Sequence, residues 1–140
     1  MTEVHRWPIR VYYEDTDAAG IVYYANYLKF AERARTEMMR ASGASHSEMI
    51  ETFDTAFAVS RCEVDYLKPA RLDDLLSVET RVLEVGAAVV DLDQRIAREG
   101  DLLARLKIRI ACLNRKGRPQ RLPDPVRAAL ASYRISEELV

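Results

Sequence analysis

Two carboxylates, Asp15 and Asp17, stand one residue apart where a strand-like run, Arg10-Val11-Tyr12-Tyr13, meets the small-residue turn Ala18-Ala19-Gly20. Ile21-Val22-Tyr23-Tyr24 then lead into a long amphipathic segment beginning near Asn26. This order puts a carboxylate close to a helix start, where backbone N–H groups lack intrahelical acceptors and point outward. A carboxylate that attacks a carbonyl or activates water, facing N–H groups that hold a developing oxyanion, is the equipment of a hydrolytic site. Residue types and spacing leave a plainer alternative equally open, in which Asp15 and Asp17 only form Asx turns or cap a helix. Of the pair, Asp15 reads as the turn-former. A calcium loop starting at Asp15 would find its glycine at Gly20. It would also need an oxygen ligand at Ala19 and a glutamate at Asn26, and neither is there. No metal and no cofactor is expected.

Other chemistries find little to work with. The only histidines are His5 and His46. Both read as surface residues away from the motif, so a Ser-His-Asp or Cys-His device has no placed base. The net charge of −1 gives no bulk attraction to nucleic acid or an anionic membrane. The first residues have no apolar core like that of a signal peptide, and no apolar run approaches the roughly 20 residues that span a bilayer. A cytoplasmic protein is expected, with Cys62 and Cys112 as buried, reduced thiols. At 140 residues the chain suits one domain, residues 1–140.

The elements that must position the acidic turn follow from periodicity. Residues 7–14 alternate, placing Trp7, Ile9, Val11 and Tyr13 on one face of a strand. Residues 26–42 have a helical period, with Tyr27, Phe30, Ala31, Ala34, Met38 and Ala41 as the apolar stripe and Gly43 as the stop. Ser45 and Glu48 form a capping box for a short helix ending near Glu51. Strand signals cover residues 56–66, 75–85, 88–98 and 102–113. In the last, Leu102, Ala104, Leu106, Ile108, Ile110 and Cys112 face one way, and Arg105, Lys107 and Arg109 the other. A hairpin-like turn at 114–119 and a helix over 125–133 complete the chain. A strand, a long helix and a meander of four strands make an α+β layout. Strands of about 36 Å outreach a helix of about 25 Å and should curl around it, giving a curved antiparallel five-stranded sheet wrapped about a central helix, the hot-dog fold.

The run from Val11 to Glu37 resembles the signature of hot-dog acyl-CoA thioesterases of the 4-hydroxybenzoyl-CoA thioesterase class, in particular the YbgC type associated with the Tol-Pal envelope system. Supporting stretches are Val64-Asp65-Tyr66-Leu67-Lys68-Pro69-Ala70-Arg71-Leu72-Asp73-Asp74 and Gly117-Arg118-Pro119-Gln120-Arg121-Leu122-Pro123. The resemblance implies a thioesterase acting on an acyl-CoA or acyl-carrier-protein thioester. It implies a homotetramer, a dimer of dimers, with sites at the subunit interface. It places catalysis on Asp17, the second Asp of the motif, and on the backbone N–H of Tyr24. Tyr24 stands where a common variant of the family carries His, so an imidazole has no part here, and the chemistry runs on Asp17 or Tyr24 substitutes through its hydroxyl. Glu32 is a candidate for lining the acyl pocket or activating water, against the plain reading of a solvated helix residue paired with Arg35 or Thr36. Ser60, with Arg61, is expected to face a partner's site. The hairpin Val85-Gly86-Ala87-Ala88-Val89 lacks the cation that some relatives use for phosphate, which leaves Arg118 and Arg121 as candidate substrate-binding groups.

A competing reading is a non-catalytic protein that binds acyl-carrier protein or phospholipid-synthesis enzymes near the envelope machinery. Asp17 discriminates, because a scaffold has no need of it beside a helix start. A hot-dog dehydratase ranks last, because its His is missing from the motif.

Overall fold

The computed structural model describes residues 4–135. Strand β1 (His5–Arg10) is followed by a 3-10 turn (Tyr13–Asp15), helix α1 (Asn26–Ala41) and helix α2 (His46–Phe53). Strands β2 (Thr55–Tyr66), β3 (Leu75–Val85), β4 (Val89–Arg98) and β5 (Asp101–Asn114) come next, then helix α3 (Asp124–Ala131). The five strands form one antiparallel sheet in the order β1-β3-β4-β5-β2. The sheet is curved and carries α1 across it, the α+β hot-dog arrangement expected from the sequence.

Helix α1 owes its place to its stripe. Tyr27, Phe30, Ala31, Ala34 and Met38 are buried, in one cluster with Val78, Leu92, Ile96, Leu106 and Ile108 of the sheet. Ala41, expected in the stripe, is exposed, and Met39 is buried. The helix ends there: Ala44 N–H returns to the Met39 carbonyl at 3.1 Å and Gly43 N–H to that of Arg40 at 3.2 Å. Gly43, at φ +85°, supplies the left-handed residue that this stop requires. Helix α2 starts as expected, with Glu48 N–H donating to Ser45 Oγ at 3.2 Å, and runs on to Phe53. Strand β5 buries Ala104, Leu106, Ile108, Ile110 and Cys112 as its alternation predicts. Leu103 is buried as well, at the register shift opposite Ile96 and Ala97.

Two expectations need correction. The first strand stops at Arg10 instead of running to Glu14. The Asp15 carboxylate takes the Tyr12 N–H at 2.8 Å and curls the chain into the 3-10 turn. Ile9 and Val11 are therefore buried, while Trp7 and Tyr13 are exposed. The meander, moreover, contains only β3, β4 and β5. Strand β2 pairs with β5, and the loop after Tyr66 carries the chain across the end of the sheet to β3. Two intervening strands make this a span of about 14 Å, well within reach of an eight-residue loop at about 3.3 Å per residue. β2 is thus an edge strand, exposed along most of both faces.

Candidate active site

The acidic turn is built around Asp15. Its side chain is buried, with Oδ2 accepting Tyr12 N–H at 2.8 Å and Oδ1 accepting the Asn26 side-chain amide at 3.0 Å. Its carbonyl accepts Tyr23 N–H at 2.9 Å. Asp15 therefore ties the end of β1 to the first residue of α1, as a turn-former should. Asp17 stands at the tip of a tight hairpin held by Asp17 N–H to the Ile21 carbonyl at 2.9 Å and Gly20 N–H to the Asp17 carbonyl at 3.0 Å. Gly20, at φ +79°, makes the reversal possible. Asp17 is exposed, and its Oδ1 accepts Ala19 N–H at 2.8 Å. The Asx turn is real, then, but it uses one oxygen, and Oδ2 meets no donor among the described residues.

The return arm of this hairpin delivers the helix start. The first turns of α1 close as three-residue steps, Asn26 N–H to the Tyr23 carbonyl at 2.8 Å and Leu28 N–H to the Ala25 carbonyl at 3.1 Å. Tyr24 falls between them. Its N–H donates to no acceptor among the described residues, and its carbonyl accepts the Tyr66 hydroxyl at 2.9 Å. Its ring is exposed, 4.9 Å from that of Tyr23 and 6.2 Å from that of Tyr66. Tyr27, one turn on, is buried against Tyr66 and accepts Ala70 N–H on its hydroxyl at 3.0 Å. The Ala70 carbonyl accepts Val22 N–H at 2.8 Å, which locks the crossover loop to the hairpin.

Glu32 is exposed on α1 at the rim of a cavity of about 240 Å³, lined among others by Arg35, Met38, His46, Phe57 and Val59. It forms no ion pair with Arg35. The Arg35 guanidinium donates instead to Gln94 Oε1 at 3.0 Å, and Gln94 Nε2 donates to the Ala31 carbonyl at 3.0 Å and to Thr80 Oγ1 at 2.9 Å. Burial pushes the Arg35 pKa down, and nearby Glu32 opposes it. His46, expected on the surface, is half-buried in this cavity. Its ring is edge-on to Phe57 at 6.0 Å, and Nδ1 lies 3.4 Å from Thr36 Oγ1. Burial, reinforced by Arg35, holds it below the ordinary histidine range.

The remaining candidates lie elsewhere. Ser60 is the bulged residue of β2, and its hydroxyl donates to the Arg109 carbonyl at 3.3 Å. It sits roughly 20 Å along the strand from Tyr66. Arg118 and Arg121 are exposed on the segment after β5. That segment lies against the cation-free β3–β4 hairpin, with Leu122 N–H bonded to the Ala87 carbonyl at 2.9 Å. Arg127 of α3 also reaches it, donating to the carbonyls of Gly86 at 3.0 Å and Ala87 at 3.2 Å. The β2–β5 ladder pairs Tyr66 with Ala104 at one end and Thr55 with Asn114 at the other. Those ends are roughly 35 Å apart. Tyr24 is tied to the first end through Tyr66, and the hairpin that carries Asp17 leads into it, while Arg118 and Arg121 lie at the second.

Sequence reasoning passed over Tyr66, Arg35 and Gln94. Tyr66 closes a strand-like run, but nothing local identifies the partner of its hydroxyl. Cys62, expected to be buried, is exposed on the edge strand, whereas Cys112 is buried; both are free thiols.

Among the described residues, no helix is long and apolar enough to cross a membrane. The profile of the thioesterase-like superfamily matches residues 11–130. The chain is 44% identical over 124 residues to the acyl-CoA thioesterase YbgC of Haemophilus influenzae, covering 88% of this chain and 91% of that protein. It is 41% identical over 127 residues to the acyl-CoA thioester hydrolase YbgC of Escherichia coli, covering 89% and 94%. The crystal structure of a probable thioesterase from Bartonella henselae superposes with a TM-score of 0.84 at 35% identity, covering 86% of this chain and all of that one.

Proposed function

Because the chain belongs to the thioesterase-like superfamily, we propose that it hydrolyses acyl-CoA or acyl-carrier-protein thioesters to a free acid and a thiol. The observation that carries the reading is the Tyr24 N–H, open at the start of α1, with an Asp17 oxygen that meets no donor in the hairpin that leads into that helix. In this reading Tyr24 N–H donates to the thioester carbonyl as it becomes an oxyanion, a contribution of about 3 kcal/mol to the transition state. Asp17 acts as base or as nucleophile. As base it takes a proton from water while the oxygen adds to the carbonyl carbon. As nucleophile it forms a mixed anhydride that water then opens. In both routes the C–S bond breaks and the leaving sulfur ends protonated.

The reading includes a homo-oligomer, supported by β2 as an edge strand exposed on both faces. A second copy paired antiparallel along β2 brings its Arg118 and Arg121 end beside the first copy's Asp17 end. Those cations then serve the phosphates of the thiol carrier, while Glu32 and Ser60 line the acyl side. The test is thiol release from a panel of acyl-CoA and carrier-protein thioesters. Asp17→Asn, folded by circular dichroism, should lower kcat at least about a hundredfold. Wild-type turnover in that variant removes Asp17 from the mechanism. A native protein inert on the whole panel removes the hydrolase reading.

A further inference from the structure

We propose that Tyr66 is a positioning residue for the carbonyl-polarising donor, its hydroxyl holding the Tyr24 backbone so that the Tyr24 N–H stays directed outward. The inference rests on the hydrolase reading above and adds a residue to it.

In a regular α-helix the carbonyl of the cap residue is the first to accept an intrahelical N–H, so the residue before the cap has no place in the ladder. Here the cap is Ala25, whose carbonyl accepts Leu28 N–H at 3.1 Å. Tyr24 is thereby left out of the helix ladder in both directions. Its N–H is open, and the Tyr66 hydroxyl at 2.9 Å is the one hydrogen-bond partner of its carbonyl among the described residues. An oxyanion donor works by being aimed before the charge develops, and bonds hold the backbone on both sides of this one: Asn26 N–H on the Tyr23 carbonyl, in the peptide that carries the Tyr24 N–H, and the Tyr66 hydroxyl on the Tyr24 carbonyl, in the peptide that follows.

Tyr66 is suited to supply one. It is the last residue of β2, paired with Ala104, and the chain just beyond it is pinned by Leu67 and Lys68 N–H groups, at 2.8 and 3.1 Å, on the Leu103 carbonyl. Its ring packs edge-on to Tyr27 at 5.4 Å and to Tyr24 at 6.2 Å, which fixes the direction of the hydroxyl. A phenol at the end of a sheet strand thus braces the peptide just before the helix cap, whose carbonyl no helix bond holds.

Tyr66→Phe keeps the ring and removes only the brace. The expected result is a kcat about tenfold lower with KM for the same acyl-CoA within about twofold, since ground-state binding does not depend on this donor. Tyr66→Ala should be no slower than Tyr66→Phe by more than about threefold, because the hydroxyl and not the ring does the positioning. A Tyr66→Phe variant with wild-type kcat overturns the inference, and so does an equal loss carried entirely in KM. Asp17→Asn assayed alongside separates the two levels. If it is inactive while Tyr66→Phe is unimpaired, only the role of Tyr66 falls. If it is active, the hydrolase mechanism falls and the role of Tyr66 with it.

Discussion

Gln94→Leu tests the polar centre under α1. Gln94, on β4, is fully buried and bonds three groups on two other elements: the Ala31 carbonyl and the Arg35 guanidinium of α1, and Thr80 of β3. Leucine fills nearly the same volume but makes none of these bonds. The two neutral bonds contribute about 1 kcal/mol each and the bond to the cation about 2 kcal/mol. The added apolar burial returns about 1 kcal/mol, so the variant should lose about 3 kcal/mol. Much of that loss is Arg35 left in a largely buried place without its acceptor. Removing the cation as well should relieve it. In a double-mutant cycle with Arg35→Met, the combined loss should be about 2 kcal/mol smaller than the sum of the single losses. Urea unfolding monitored by circular dichroism gives each stability, with unchanged m values confirming that only stability has moved. Losses that add to within about 0.5 kcal/mol refute the reasoning, because they mean that Arg35 and Gln94 do not depend on each other.

Two further outcomes follow from the cavity and the edge strand. Burial, with Arg35 beside it, holds His46 below its ordinary value of 6.5. The unfolded chain therefore takes up this proton first as pH falls, and His46 lowers stability progressively from about pH 6.5 downward while contributing nothing above pH 7. Urea midpoints measured from pH 7.5 to 5.5 should fall less in His46→Gln than in the native protein; parallel curves exclude His46 as the source. Light scattering should give a species larger than the 16.0 kDa chain at assay concentrations, and a fully active monomer defeats the shared site.

What could be read from the sequence was what depends on local order. The stripe from Tyr27 to Met38, the stop at Gly43 and the alternation of β5 each need only neighbours in the chain, and each formed as expected. The first strand misled because alternation continues through Tyr13, while the bond from Tyr12 N–H to Asp15 ends the strand early. The edge position of β2 could not be read, since its partner lies dozens of residues away and both faces stay exposed. The same non-locality hid the burial of His46, which depends on α1 and β2 closing over α2, and it hid the Tyr66 hydroxyl bond across 42 positions. The acidic turn was legible as a turn and as a place for chemistry. The division of labour between its two carboxylates became visible only when each oxygen could be matched to its donor.

The crossover of β2 to the far side of β5 also orders events during synthesis. Strand β2 pairs with β5 and with no other strand of the sheet, so after Tyr66 is made the ribosome must still add the chain as far as Ala104 before the first rung of that ladder can close. At about 5–20 residues per second this is a wait of some seconds. Through it, β2 is a strand without a sheet, with Val59 and Tyr66 among its exposed residues. The meander of β3, β4 and β5 closes by short turns as it emerges. The strand made first among the four that follow α1 therefore cannot join the sheet until the one made last has begun to emerge.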